Sequence, residues 1–295
     1  MNPENVLLRR LIGLVVAGVS LWFPPRTHGD GYGNGTKTFT APKEMVEADW
    51  SDVAEMKRTW DAALVRVSDA DGQVRKFSMD EVTEGSFPEQ TKHPTVIYLH
   101  GCSGVWPGTY RRIDFLAENG FAVIAPLSFA RKKYPQSCDT KNHRGGMYRP
   151  TLKMRQFDAG FAIENAKNLS WVDAKNVFLM GLSQGGITTA TFRSDDPTSA
   201  VNARVVEGWT CHAGWEEYRG VNAPEGEPVL TLVGERDPWF QRPATAGDCG
   251  SFLNTKNGSR SVVFRQGPLR ARHELFETDE VKQTVLKFLR DHLRD

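Results

Sequence analysis

What this chain lacks narrows its chemistry first. Lys and Arg number 37 against 36 Asp and Glu, a net charge of +1, and no basic stripe with interleaved aromatics is present. So balanced a chain has no electrostatic footprint for nucleic acid, and none is expected as a partner. There is no C-x-x-C and no pair of histidines at helical spacing. That leaves no pattern for a zinc or other metal site, and no cofactor is expected. The absence of an internal repeat argues against a solenoid or propeller. The apolar run at residues 11–23 is about thirteen residues, short of the ~20 that span a bilayer. A length of 295 residues suits one large α/β domain rather than two.

That apolar run follows Arg9-Arg10 and ends at Pro24-Pro25. A charged start and a short apolar core read as a secretory signal. No small-x-small triplet follows cleanly, so an uncleaved N-terminal membrane anchor is the alternative. Residues 26–40 are Gly-rich and polar, a linker rather than a core element. The expected organisation is a signal peptide or anchor at 1–25, a flexible linker at 26–44 and one catalytic domain at 45–295. No cysteine lies in the N-terminal region, so attachment through a lipidated Cys is unsupported.

The most informative segment is residues 176–186. An apolar run, 177–180, leads into Gly181-Leu182-Ser183-Gln184-Gly185-Gly186, and a helix-like stretch follows at 187–193. G-x-S-x-G between a strand and a helix is the pattern of a nucleophile elbow. A serine hydroxyl attacks only when it is exposed and a base takes its proton. A sharp strand-to-helix turn exposes it, and Gly181 and Gly185 remove the side chains that would crowd that turn. The helix that follows aims its first amides at developing negative charge.

The nucleophile needs a base, and the base an orienting acid. Residues 228–233 read as a buried strand with Asp237 just past its end. Residues 261–265 form another β-branched run, after which come His273 and a helix over about 278–293. Ser183, Asp237 and His273 thus occur in the chain order of an α/β-hydrolase triad. Glu235 is the competing acid and Asp248 a more distant one. A strand at 95–99 ends in His100-Gly101-Cys102-Ser103-Gly104. A loop at this place supplies one amide of an oxyanion hole, and the residue after the nucleophile supplies the other. The expected donors are the amides of Cys102 and Gln184, with His100 bracing the loop.

These motifs, with Asn119-Gly120-Phe121-Ala122-Val123-Ile124-Ala125-Pro126 and Gly234, make the chain resemble the dienelactone hydrolase family of α/β-hydrolases over roughly residues 90–290. The resemblance implies hydrolysis of an ester or lactone through a Ser or Cys nucleophile, Asp and His. The enzymes that gave the family its name carry Cys at the elbow where this chain has Ser183, which points to a carboxylesterase. The expected partner is therefore a small-molecule ester or lactone. An amide or peptide hydrolase, or a non-catalytic binding member of the fold, are the competing readings. Nothing in the sequence sets an oligomeric state.

The expected fold is a doubly wound, mostly parallel eight-stranded sheet with helices on both faces. Near-continuous apolar strands alternate with helical stretches: strands at 95–99, 121–125, 177–180, 205–209, 229–233 and 261–265, helices at 111–118 and about 151–168. Residues 62–67 and 73–78, joined by Asp71-Gly72, predict an antiparallel hairpin at the edge. Strand C-terminal ends carry the candidate triad, as ligand sites in such sheets do.

Cys102, Cys138, Cys211 and Cys249 fit an oxidising compartment, periplasmic or secreted. Of three pairings, loop topology favours Cys102–Cys138 and Cys211–Cys249, since each pair leaves neighbouring strand ends. Two loops, 127–149 and 209–222, are placed to shape a pocket, and Trp106, Arg131, His212 and Trp239 are the candidate substrate contacts. Arg131, Lys132, Lys133, Lys141, Arg144 and Arg149 oppose the single acid Asp139 in the first loop, and Arg270 and Arg272 precede His273. A cation in the pocket would favour carboxylate-bearing esters or lactones.

Overall fold

The computed structural model describes residues 32–69, 71–83, 91–193 and 196–295; the expected leader or anchor at 1–25 lies outside them. The chain runs α1 (Val53–Asp61), β1 (Leu64–Ser68), β2 (Val74–Phe77), α2 (Met79–Thr83), β3 (His93–Leu99), α3 (Pro107–Glu118) and β4 (Ala122–Ala125). It continues through β5 (Cys138–Asp139), β6 (Arg144–Gly145), α4 (Thr151–Lys167), β7 (Val172–Leu182), α5 (Gln184–Thr191), β8 (Arg204–Glu207), β9 (Val229–Gly234), β10 (Arg260–Phe264) and α6 (Asp279–Asp291). Eight strands form one sheet in the order β10-β9-β8-β7-β3-β4-β1-β2. Six run parallel, while β1 pairs antiparallel with both β2 and β4. The sheet is the mostly parallel, doubly wound one that the strand pattern predicts. β5 and β6 form a separate small hairpin.

The period of two in a strand sorts its side chains between the two faces. In β3, Val96 and Tyr98 pack to one side and Ile97 and Leu99 to the other; in β7, Phe178 and Met180 oppose Val177 and Leu179. The first face is covered by α3 (Ile113, Leu116) and α6 (Val285, Leu286, Leu289). The second is covered by Trp60 of α1 and Ala159, Ala162 and Ile163 of α4. Each fully buried aliphatic side chain contributes roughly 1.5–3 kcal/mol, so both cores hold the sheet rigid beneath the loops at its C-terminal edge. Among the described residues no helix is long and apolar enough to cross a membrane.

Besides the short α2, β5 and β6, three features differ from the sequence-based expectation. α1 was not expected; the Asp52 side chain caps it, accepting from the amides of Ala54 and Glu55 at 2.8 and 3.1 Å. β7 begins at Val172, well before residue 177, because Asp173 and Lys175 interrupt its apolar pattern without ending the strand. The third concerns the stretch expected as a flexible linker. From Tyr32 onward it is strapped across the domain. Val105 N donates to Tyr32 O at 3.3 Å, Asn34 N to Ser103 O at 2.6 Å, Thr40 N to Tyr134 O at 2.9 Å and Lys37 Nζ to Arg131 O at 2.6 Å. Polar, Gly-rich composition reports a lack of core-forming side chains. It does not report that backbone groups find partners in loops distant in sequence.

Candidate active site

Ser183 sits at the turn between β7 and α5 with φ +56° and ψ −117°. A non-glycine residue there stores roughly 1–3 kcal/mol of strain, held only because its surroundings over-determine it. Those surroundings are visible. Ser183 N donates to Glu207 O at 2.8 Å, and Ser183 O accepts from Ile187 N at 2.8 Å. A Cβ on Gly185 would lie 2.1 Å from Leu99 O, and one on Gly181 would lie 2.3 Å from the Gly185 backbone. Gly186 is equally constrained, at 2.6 Å from Glu207 O. The elbow therefore needs three glycines, because α5 is wedged between the ends of β3 and β8.

Asp237 follows β9 and is 1% exposed. Its Oδ1 accepts from Trp239 N at 3.0 Å, and its Oδ2 lies 2.7 Å from His273 Nδ1. That bond fixes the tautomer in which Nδ1 carries the proton and leaves Nε2 free to accept one. His273 Nε2 is buried and has no hydrogen-bond partner among the described residues. The imidazole stacks on Trp239 at 5.2 Å and meets Phe240 at a tilt at 5.7 Å between ring centroids. The two competing acids are engaged elsewhere. Glu235 pairs with Arg270 at 2.7 Å, and Asp248 accepts from Gly250 N at 2.6 Å and Ser261 Oγ at 3.0 Å.

Glu207 is a residue the sequence reading missed. It is fully buried, and Arg112 grips it through Nη2 at 2.9 Å and Nε at 3.2 Å. The same carboxylate accepts from Leu275 N at 2.6 Å and Phe276 N at 2.8 Å. Glu207 thus anchors the chain just after His273 with its side chain and Ser183 with its carbonyl. A carboxylate ending the run Val205-Val206-Glu207 was the available signal. Beside it, burial pushes the Glu274 carboxyl above the usual carboxylate range, with Arg112 3.4 Å away opposing the shift.

The His100–Gly104 loop is braced from within. Gly101 O accepts from His100 Nδ1 at 2.7 Å and from Gly104 N at 3.2 Å. Because a trans peptide directs its N–H opposite to its C=O, the amide of Cys102 turns to the far side of that peptide. Burial, and then the neighbouring Arg155 cation, push the His100 imidazole down to about 3, so it is neutral. Gln184 opens α5, where helix amides lack intrahelical acceptors. Cys102 is bridged to Cys138 and Cys211 to Cys249, with Cα–Cα distances of 6.0 and 4.9 Å.

Two cavities meet at Ser183. One, of about 430 Å³, is lined by Trp106, Arg272, His273, Glu274 and Glu277 among others; the second, of about 340 Å³, by Arg144, Trp209, Trp215, Phe240 and Arg242 among others. Ser183, Cys102, His143 and Trp239 line both. Of the four candidate substrate contacts, Trp106 and Trp239 line these cavities. Arg131 does not. It is fully buried, paired with Asp158 at 2.7 Å and donating to the carbonyls of Asp49 and Trp50 at 2.7 and 3.1 Å. His212 does not either; it packs edge-on against Phe252 at 5.1 Å, with Nε2 3.2 Å from Asp248 O. Arg131 is consumed by a buried ion pair that fastens the residues before α1 to α4, a long-range partnership no local pattern displays. Lys133 and Arg149 pair with Asp49 and Glu217. His143, Glu274 and Glu277 were not expected as lining residues.

A doubly wound sheet with a strained serine at a strand–helix elbow, and an Asp–His pair after later strands, defines an α/β-hydrolase. Within that class, the family model described as the Dienelactone hydrolase family matches residues 85–257, more than half of the chain. The chain belongs to this family and is a hydrolase acting on ester bonds. No curated protein matches it in sequence. Among solved structures, a putative dienelactone hydrolase from Klebsiella pneumoniae is 18% identical, covering 69% of this chain and 89% of that one with a TM-score of 0.48. A dienelactone hydrolase-like promiscuous phosphotriesterase from metagenomic libraries is 15% identical, covering 78% and 98% with a TM-score of 0.49. An acetyl xylan esterase from Paenibacillus sp. R4 is 16% identical, covering 70% and 77% with a TM-score of 0.47.

Proposed function

We propose that residues 45–295 form a carboxylesterase that works through an acyl-Ser183 intermediate. The observation that carries this reading is the His273 imidazole, bonded through Nδ1 to the buried Asp237 while Nε2 is left unpartnered beside the cavity Ser183 lines. His273 Nε2 takes the Ser183 proton as Oγ attacks the ester carbon. The amides of Cys102 and Gln184 receive the charge that moves onto the former carbonyl oxygen. On collapse, His273 returns the proton to the departing alkoxide, and a water repeats the sequence to release the acid. Asp237 holds the imidazole in one tautomer and stabilises its protonated form throughout.

The substrate divides between the two cavities. The aromatic one carries Arg144 and Arg242 and no carboxylate among its lining residues; it suits an apolar acyl group bearing an anion. The other carries Glu274, Glu277 and Arg272 and suits a polar leaving group. The preference for an anionic substrate is retained from the sequence reading, and of the loop cations weighed there it rests on Arg144, joined by Arg242. The two disulfides fit an extracellular or periplasmic environment. Together with the apolar leader they support export to the periplasm or beyond, with the leader cleaved or kept as an anchor.

The test is labelling with a fluorophosphonate and mapping of the adduct, alongside a panel of p-nitrophenyl esters and aminoacyl anilides. Stoichiometric label on Ser183 and ester turnover far above anilide turnover are expected. Absence of label, or undiminished turnover in Ser183→Ala, would overturn the mechanism; faster anilide cleavage would make the protein an amidase.

A further inference from the structure

A guanidinium lies behind the candidate oxyanion hole, and no step above uses it. Arg155, on α4, is 1% exposed. Its Nη2 donates to His100 O at 2.6 Å and its Nη1 to Gln184 Oε1 at 3.2 Å. These acceptors belong to the two opposite walls: His100 starts the loop that carries Cys102, and Gln184 is the residue after Ser183. Ser137 Oγ at 3.2 Å and Tyr134 Oη at 3.4 Å also donate to Gln184 Oε1. Ser137 adjoins Cys138, which is bridged back to Cys102. The walls are therefore joined twice, once by the fork of Arg155 and once through the disulfide.

We propose that Arg155 is a positioning residue for the oxyanion hole, setting the separation and orientation of the Cys102 and Gln184 amides from behind. This rests on the carboxylesterase reading above. The geometry is suited to the task. The contact with His100 O orients the peptide between His100 and Gly101, and the bond from His100 Nδ1 to Gly101 O orients the next. A planar, forked cation can hold two acceptors at fixed spacing, whereas an ammonium on a flexible stem cannot. Arg131 takes the short ion pair with Asp158 on the same helix, so the donors of Arg155 are turned to the hole. Burial disfavours its charge, with the Asp158 carboxylate nearby opposing that shift. A cation kept under such conditions, with Nε left without a partner, favours any negative charge developing close by.

The test compares wild type with Arg155→Met, Arg155→Lys and Gln184→Met on a neutral p-nitrophenyl ester. Each variant is also titrated with an alkyl boronic acid, which adds the serine oxygen and mimics the tetrahedral intermediate. Removing one oxyanion-hole donor outright costs about 10²–10³ in kcat, so displacing two donors slightly should cost about 10–100-fold. The loss should fall on kcat with KM within about twofold, and boronate affinity should fall in step with kcat/KM. Arg155→Lys should recover part of it. Gln184→Met, which keeps the backbone amide, should show a comparable loss, and the double variant should be scarcely worse than either single one.

Folded Arg155→Met with kcat within about threefold of wild type, a change confined to KM, or additive losses would each sink the proposal. If Arg155→Met does not fold, Gln184→Met decides it by the same kcat and boronate criteria. Failure of the underlying reading looks different: wild type would not bind the boronate and Ser183→Ala would keep its turnover. With those two controls as expected and the Arg155 and Gln184 variants unaffected, only the positioning role falls.

Discussion

The two cavities that meet at Ser183 are built from opposite materials. The larger is walled by the loop around His273 and carries two carboxylates and an arginine, all tied into the Arg111, Arg112 and Glu207 network beneath. The smaller is walled by the β5–β6 hairpin and the loops after β8 and β9. It carries four tryptophan, tyrosine or phenylalanine rings beyond the shared Trp239, with Arg144 and Arg242 as its only charges among the lining residues. The first wall is positioned by buried charge, the second by packing and by the two disulfides, whose Cys138, Cys211 and Cys249 are all buried. A wall built on a paired ionic network can anchor the machinery. A wall of aromatic loops can vary without disturbing it, so it is where specificity for the acyl group would reside.

The strongest challenge to this division is at the edge both cavities share. Ser183→Ala and His273→Ala should each lower kcat by roughly 10⁴–10⁶, the double variant scarcely further, and Asp237→Asn by less than either. The losses should be equal for substrates that differ only in acyl group or only in alcohol. Gly185→Ala comes next. Its Cβ would stand 2.1 Å from a backbone oxygen of β3, so we expect about 1–3 kcal/mol of lost stability from overpacking. Displacing the nucleophile by even about an ångström should lower kcat about 10²-fold. A thermal melt and a kcat within threefold of wild type would show that the elbow has room it does not display.

Substrate charge sharpens the contrast between the walls. Cleavage of a carboxylate-bearing ester should exceed that of its methyl ester by about tenfold at low salt, since hydrogen bonds to charged groups contribute about 1.5–3 kcal/mol before screening. Arg144→Met with Arg242→Met should abolish the preference, and Glu274→Gln should leave it in place. Equal rates on both esters in wild type would remove the assignment.

The disulfides separate the walls by mechanism. Closing a loop of 36 or 38 residues contributes at most about 4 kcal/mol in the chain-entropy model. Replacing Cys211 and Cys249 by serine should lower the melting temperature with little change in kcat for a small acetate. Replacing Cys102 and Cys138 should lower kcat as well, because Cys102 is the residue proposed to carry an amide of the hole. Peptide mapping of unreduced protein from an oxidising compartment should return the same two pairs, and four free thiols would contradict the export reading.

At neutral pH the smallest effect is that of His100, which emerges only on acidification. His100 has its imidazole pushed from 6.5 down to about 3. A depressed folded-state value means that the unfolded chain binds the extra proton. The stability His100 contributes is therefore fully present above about pH 6.5 and is lost as pH falls toward about 3, at no more than about 1.4 kcal/mol per pH unit. His100→Asn, which can still donate to Gly101 O, should flatten that part of an acid-unfolding series. An unchanged slope would mean that other buried groups control it.

Legibility followed the range over which each feature is determined. The elbow was readable because strain at one residue forces glycine at fixed offsets. The parallel strands were readable because burial on both faces makes them continuously apolar. Asp237 and His273 were candidates from chain order and strand ends, with Glu235 competing; the fold bonds Asp237 to His273 and Glu235 to Arg270. Arg131 misled because a cation in a loop at the sheet's C-terminal edge reads as a substrate contact, and only the fold brings Asp158 to it. Residues 32–40 read as a linker, yet several of their polar groups bond to loops distant in sequence.

The sequence by itself determined the alternation of strand and helix, the serine at a glycine-flanked turn and the order of the three candidate catalytic residues. Each of those depends on sterics and burial within a few residues along the chain. Only the tertiary structure decided that Glu207 anchors both the elbow and the His273 loop, that Arg155 bonds both His100 and Gln184, and that the cavities beside Ser183 differ in charge. Those contacts join residues tens of positions apart or more, and buried charges reveal their partners only when the chain has brought them within hydrogen-bonding distance.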